Sequence, residues 1–259
     1  MAKEQFILLS FDVEEFDMPL EYGVNIPFEQ QLQIGYSGLE KIKPIINTGK
    51  TPSTLFTTAN YAMHFPDQIK DLAMQHEIAS HTFYHSNFAD EHLLQSKQKL
   101  EEITGKQIEG LRMPRMRKVD LNEVKKAGYT YDSSINPTWL PGRYNNLHLN
   151  RTYYYEEQLL RIPASVSPTF RIPLFWLSFK NFPYSFFKTI ALHTLRKDGY
   201  LCLYFHPWEF TDITQTGLPA YTRRGCKEVL LQKLDHLITA LSKEGTFITS
   251  QQFIQLKKL

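Results

Sequence analysis

Glu77-Ile-Ala-Ser-His-Thr-Phe-Tyr-His-Ser-Asn87 is the stretch around which the rest of the sequence arranges itself. A short strand-like run there gives way to His81-Thr82-Phe83-Tyr84-His85, two imidazoles four residues apart. On one side of a helical or irregular turn both rings can reach a common ion, and neutral imidazole suits zinc, iron, nickel or cobalt. In a chain with nine histidines the pair reads equally as two partly buried polar side chains. What lies at the ends of the other strand-like runs decides between these readings.

Four other runs end in the same manner. Phe6-Ile-Leu-Leu9 leads into Ser10-Phe-Asp12-Val-Glu14-Glu15-Phe-Asp17, and acids gathered at a strand's end repel one another unless a cation or an arginine neutralises them. Ile108-Glu-Gly-Leu111 precedes Arg112-Met-Pro114, and Tyr129-Thr-Tyr131 precedes Asp132-Ser-Ser134. Tyr200-Leu-Cys-Leu-Tyr-Phe205 precedes His206-Pro-Trp-Glu209. Polar groups at the carboxyl ends of successive strands mark an α/β barrel or sheet.

The intervening segments alternate accordingly. A Pro- and Gly-punctuated loop is expected over 18–35, then a helix from Gly38 to Asn47 capped by Ser37. Thr51 to Asn60 reads as a strand and Pro66 to Gln75 as a helix; Leu93 to Thr104 is a helix, and Asp120 caps another. Residues 136–181 form an irregular, aromatic-rich insertion that contains Trp139 and one strand, Leu159 to Pro163. Helices over Phe186–Lys197 and Arg223–Glu244 follow, and a strand at Thr246–Thr249 closes the chain.

The order of acidic turn, H-x-x-x-H, R-x-P, Asp and strand-borne His resembles the polysaccharide deacetylase family with NodB homology, carbohydrate esterase family four, over Phe6 to about Leu256. The H-[ST]-x-x-H element is His81-Thr82-Phe83-Tyr84-His85 and the R-x-P element is Arg112-Met113-Pro114. Most members read T-F-D-D-G in the first motif, whereas Ser10-Phe11-Asp12-Val13-Glu14 places Val at the usual ligand position. A branch of the family reads D-V-[DE], with the second acid on the metal. The resemblance implies a distorted (β/α) barrel of about seven strands and a single catalytic domain over 1–259. It also implies a divalent ion, zinc above iron, cobalt or nickel, held by Glu14, His81 and His85. By the same resemblance Asp12 is the base, Arg112 holds it, His206 protonates the leaving amine and Asp132 pairs with His206. Trp139 and Trp208 are candidates for substrate contact. Glu15, Asp17 and Glu209 lie near this site without an assigned role.

Composition agrees with a globular enzyme, at 42% hydrophobic and 22% charged residues. A net charge of +2 without clustered Lys and Arg gives no reason to expect nucleic acid as a partner. No apolar run is long enough to span a membrane, and Phe6–Leu9 is too short for the core of a secretory signal. Two cysteines make no disulfide framework, so the expected location is the cytoplasm. Three functions follow: removal of acetate from an N-acetylated sugar, polysaccharide or conjugate; metal-dependent hydrolysis of a non-sugar amide or cyclic imide; or an inactive glycan-binding module.

Overall fold

The computed structural model describes residues 4–259. In chain order its elements begin with β1 (Phe6–Val13), α1 (Phe28–Ile46), β2 (Thr54–Thr57), α2 (Ala59–His64), α3 (Pro66–Leu72), β3 (Glu77–Ser80) and α4 (Glu91–Thr104). Next come β4 (Gly110–Leu111), α5 (Leu121–Lys126), β5 (Tyr131–Asp132) and two hairpins, β6 (Trp139–Leu140) with β7 (Tyr144–Asn145) and β8 (Tyr154–Glu156) with β9 (Leu159–Arg161). The remainder is α6 (Trp176–Asn181), α7 (Tyr184–Asp198), β10 (Tyr200–Phe205), α8 (Ala220–Arg223), α9 (Lys227–Leu241), β11 (Thr246–Phe247) and α10 (Ser250–Lys257).

Strands β10, β1, β2, β3, β4, β5 and β9 run parallel in that order, with β8 antiparallel at the edge and β11 added to the start of β1. The sheet curls into a half-barrel. Beyond β9, Ser165 joins it to the far edge: its backbone N–H donates to the Cys202 carbonyl (2.8 Å), and its hydroxyl accepts from the Cys202 N–H (2.8 Å).

Strand β1 is buried over its whole length, as a strand covered on both faces must be. Its alternation divides two environments. Ile7, Leu9, Phe11 and Val13 join the core under the helices, while Phe6 and Leu8 join the barrel interior with Phe56, Tyr131, Tyr200 and Phe253. With a side-chain period of two, Ser10 and Asp12 continue the interior row and Val13 faces the helices. The base of the interior is filled by α10, whose Phe253 packs edge-on against Phe6. Among the described residues no helix is long and apolar enough to cross a membrane.

Three sequence expectations are corrected here. Helix α1 begins at Phe28, so Ser37 lies inside it and is no cap, and the loop over the mouth ends near residue 27. The cause is steric: a Cβ on Gly35 would come within 2.5 Å of the Glu14 carbonyl oxygen, and one on Gly38 within 2.2 Å of the Pro207 carbonyl oxygen. These glycines, which look like helix breakers, let α1 lie directly on two site loops. Gly38→Ala is therefore expected to destabilise the protein by about 1–3 kcal/mol, read as a lower midpoint in urea. Second, the helix expected over 223–244 is shorter: it is α9, over Lys227–Leu241, and Gly225 with φ 59° separates it from the four-residue α8 that ends at Arg223. Third, the chain closes on helix α10 after a two-residue strand, with Thr249 and Gln252 forming a capping box.

A buried histidine at the foot of the sheet makes stability depend on pH. The His76 ring accepts a hydrogen bond from the Ser53 N–H at Nδ1 (3.2 Å) and meets Asn47 Oδ1 at Nε2 (2.7 Å), so its neutral form fits the site. Burial pushes its pKa down to about 4. The unfolded chain takes up this proton near 6.5, so stability is full above that pH and falls as pH drops toward 4. The loss is roughly 3 kcal/mol. Urea midpoints between pH 7 and 4.5 should decline less in His76→Gln than in the parent; parallel declines would clear His76 of the effect.

Candidate active site

The two imidazoles leave β3 on a turn and not on a helix: Thr82 adopts φ 63°, and regular helix resumes only at α4. His81 Nδ1 donates to the Arg112 carbonyl oxygen (2.7 Å) and His85 Nδ1 to Asp17 Oδ1 (2.6 Å). A carbonyl and a carboxylate only accept, so each Nδ1 carries the proton and each Nε2 of the neutral ring offers its lone pair. Both Nε2 atoms lie 3.1 Å from Glu14 Oε2. Glu14 Oε1 accepts from Trp208 Nε1 (3.0 Å), but Oε2 is buried without a donor.

Three lone-pair atoms thus face one another in a buried pocket, an arrangement that calls for a cation. Protons answer that need when no metal does. Burial raises the Glu14 carboxyl, but the His85 charge and the bond with His81 outweigh it and hold Glu14 far below the usual range. Burial lowers His85, yet Glu14 and Asp17 bring it up to about 9. Two imidazoles and a carboxylate with outer hydrogen bonds at both rings form a donor set that suits Zn²⁺, and also Fe²⁺ or Co²⁺.

Beside this cluster, Asp12 Oδ1 accepts from Arg112 Nη1 at 2.7 Å. The guanidinium is fully buried, bonded also to Ser10 Oγ and Ser133 Oγ, and lies 4.0 Å over the Phe56 ring. From the end of β10, His206 Nε2 comes within 3.9 Å of Asp12 Oδ2. Its ring stacks on Trp208 with centroids 4.7 Å apart and meets the edge of Trp176 at 5.0 Å. Burial lowers the His206 pKa, but the hydrogen bond to Glu209 and the charges of Glu14 and Asp12 raise it above the ordinary value.

The partner of His206 corrects the sequence reading. Asp132 does not reach it: Oδ2 pairs with Arg161 Nε at 2.9 Å and accepts the Ser134 N–H, and Oδ1 holds the Ser134 hydroxyl. Ser134 Oγ in turn accepts from the Met113 N–H (2.8 Å), so Asp132 braces the loop that carries Arg112. The acid at His206 is Glu209, three residues on along a 3-10 turn, whose Oε1 accepts the His206 N–H (2.8 Å) and faces Nδ1 at 3.2 Å. Trp139, 60% exposed on β6, is not among the residues that line the cavity, while its neighbour Leu140 is. Trp208 lines the cavity and holds Glu14.

Residues 33–131 match the family model described as polysaccharide deacetylase. Over those residues the chain is similar to polysaccharide deacetylases. Solved structures share its fold. One, titled a probable polysaccharide deacetylase from Pseudomonas aeruginosa PAO1, superposes with a TM-score of 0.69 at 14% identity, over 96% of this chain and 89% of that one. PuuE allantoinase gives 0.68 at 15% identity, over 96% and 89%. BA3943 from Bacillus anthracis, described as a CE4 family pseudoenzyme, gives 0.53 at 10% identity, over 97% and 66%. No curated protein matches by sequence.

The roles of several site groups escape the sequence reading. Asp17 steadies His85, and Glu15 accepts from the Thr58 hydroxyl (2.7 Å), the Asn60 amide and the His85 N–H, tying the acidic turn to the histidine turn. The acidic run itself was their signal, since each carboxylate beyond Glu14 needs a partner. Tyr144 and Trp176, which line a cavity of about 90 Å³ with Asp12, Glu14 and His206, come from the irregular insertion and carry no spacing signal. At its mouth Glu21 bridges Arg115 and Arg143.

Proposed function

We propose that this protein is a metal-dependent hydrolase that removes acetate from an N-acetylated sugar or sugar conjugate. The observation that carries the reading is the facing of Asp12 and His206 across 3.9 Å, directly beside the Glu14, His81 and His85 cluster. Those three residues would hold the ion, which we assign as zinc, and when bound it supplies a Lewis acid that polarises the amide carbonyl and makes water more acidic. Arg112 holds and aims Asp12, which accepts the proton of the attacking water. An amide nitrogen leaves only when protonated. His206, backed by Glu209 at Nδ1, presents Nε2 to the cavity and donates that proton. Trp208, stacked on the imidazole, and Trp176, perpendicular to it, fix the plane of the ring.

The second reading, hydrolysis of a non-sugar amide or cyclic imide, is favoured by the small cavity and by the fold shared with PuuE allantoinase. The inactive-module reading, which the BA3943 likeness raises, fits poorly with a donor set as complete as Glu14, His81 and His85. We place the protein in the cytoplasm, a reading supported by Cys202 and Cys226, both unpaired and buried. The substrate test is acetate release from N-acetylhexosamine oligomers and nucleotide-linked N-acetyl sugars, run beside ring opening of cyclic imides. Acetate from a sugar with imides untouched is the expected result; imide opening alone would replace the proposal with the second reading.

A further inference from the structure

Lys180, near the end of α6, is an ammonium with no solvent exposure. Its Nζ donates to the Thr222 carbonyl (2.8 Å) and lies 3.4 Å from Glu209 Oε2, with the Trp176 and Trp208 rings 5.7 and 6.0 Å away. Glu209 is likewise fully buried. Its Oε1 serves His206, while Oε2 has no hydrogen-bond donor among the described residues and lies 3.4 Å from this ammonium. Lys180, Glu209 and His206 therefore form a line of charge that ends at the cavity.

Burying an ammonium and a carboxylate is costly before their attraction is counted, and a methionine would fill the same space without that cost. If packing were the whole role, the pair would be a poor solution. The chemistry assigned to His206 supplies a reason. An imidazole that gives up its Nε2 proton goes from cation to neutral, and a buried Glu209 facing only that ring would then lose its compensating charge. A fixed ammonium on the other oxygen removes the dependence.

We propose that Lys180 is a positioning residue for proton transfer: a standing counter-charge that holds Glu209 aimed at His206 Nδ1 while His206 gains and loses its Nε2 proton. This rests on the reading of His206 as the proton donor to the leaving nitrogen. The other role open to Lys180 is mechanical, fastening α8 to α6 through Thr222.

The test is Lys180→Met, assayed on an N-acetyl substrate and on an aryl acetate, whose phenolate leaves without help from an acid. Metal content and thermal midpoint are measured alongside. On the amide, kcat should fall about tenfold or more with KM within about twofold; on the ester, the change should stay within about threefold. In a His206→Ala background the substitution should cost nothing further, because the group it serves is gone. Equal losses on amide and ester, or the same loss with and without His206, would make Lys180 a fastening for α8 and overturn the inference. His206→Ala is the control for the underlying reading. If it is amide-selective and Lys180→Met is not, the inference alone fails; if it harms amide and ester alike, the acid role fails and takes the inference with it. Should Lys180→Met not fold, the neutral pair Lys180→Met/Glu209→Gln removes both charges together. Its amide-selective loss should equal that of Glu209→Gln alone, and parent-like amide turnover in the pair would refute the proposal.

Discussion

Protein carrying His85→Ala is expected to leave dialysis without its ion, while the parent keeps close to one equivalent. The substitution removes one of three buried donors and frees Asp17, whose Oδ1 otherwise bonds His85 Nδ1 at 2.6 Å. Loss of an outer partner alone weakens metal sites by about 10–100-fold, and loss of a direct ligand does more. Asp17→Asn supplies the graded comparison: it should retain the ion with affinity reduced about 10–100-fold. Glu14→Gln should behave like His85→Ala, since it takes the charge from the oxygen that both Nε2 atoms face at 3.1 Å. Val13→Ala should bind as the parent does, because Val13 points under the helices. Full metal retention in both His85→Ala and Glu14→Gln would remove the site.

Asp12→Asn should lower turnover by about 10²- to 10⁴-fold with the ion still bound. Asparagine keeps an oxygen for Arg112 Nη1, now 2.7 Å from Asp12 Oδ1, so the geometry survives while the base is lost. Attack by water precedes departure of either leaving group, so amide and aryl ester should suffer alike. That separates Asp12 from His206, whose removal should spare the ester. An ester spared by Asp12→Asn as well would move the base elsewhere.

What the sequence showed of this fold came from short apolar runs and from the polar residues that end each run. The histidine and arginine turns follow the strands to which they were assigned, while the division of β1 that turns Asp12 inward and Val13 under the helices is visible only in the structure. The errors have local causes. Gly35 read as the end of a loop because glycine's lack of a Cβ serves a turn and a close helix contact equally, and only the nearby Glu14 carbonyl shows which applies. Asp132 was the acid expected at His206, but Arg161, from a strand inside an irregular stretch, claims it, and Glu209 wins by proximity along the chain. Trp176 reaches the cavity and Trp139 does not, a difference set by how the insertion folds back and by nothing in its composition.

The most direct test of the account is metal analysis of protein purified without chelator, followed by acetate release from an N-acetylated sugar before removal of the ion, after removal and after reconstitution. The account predicts near one divalent ion per chain in the parent and far less in Glu14→Gln, with acetate release lost on removal and restored on return of the ion. Stripped protein releasing acetate at the original rate, or an ion whose binding ignores Glu14, His81 and His85, would contradict it.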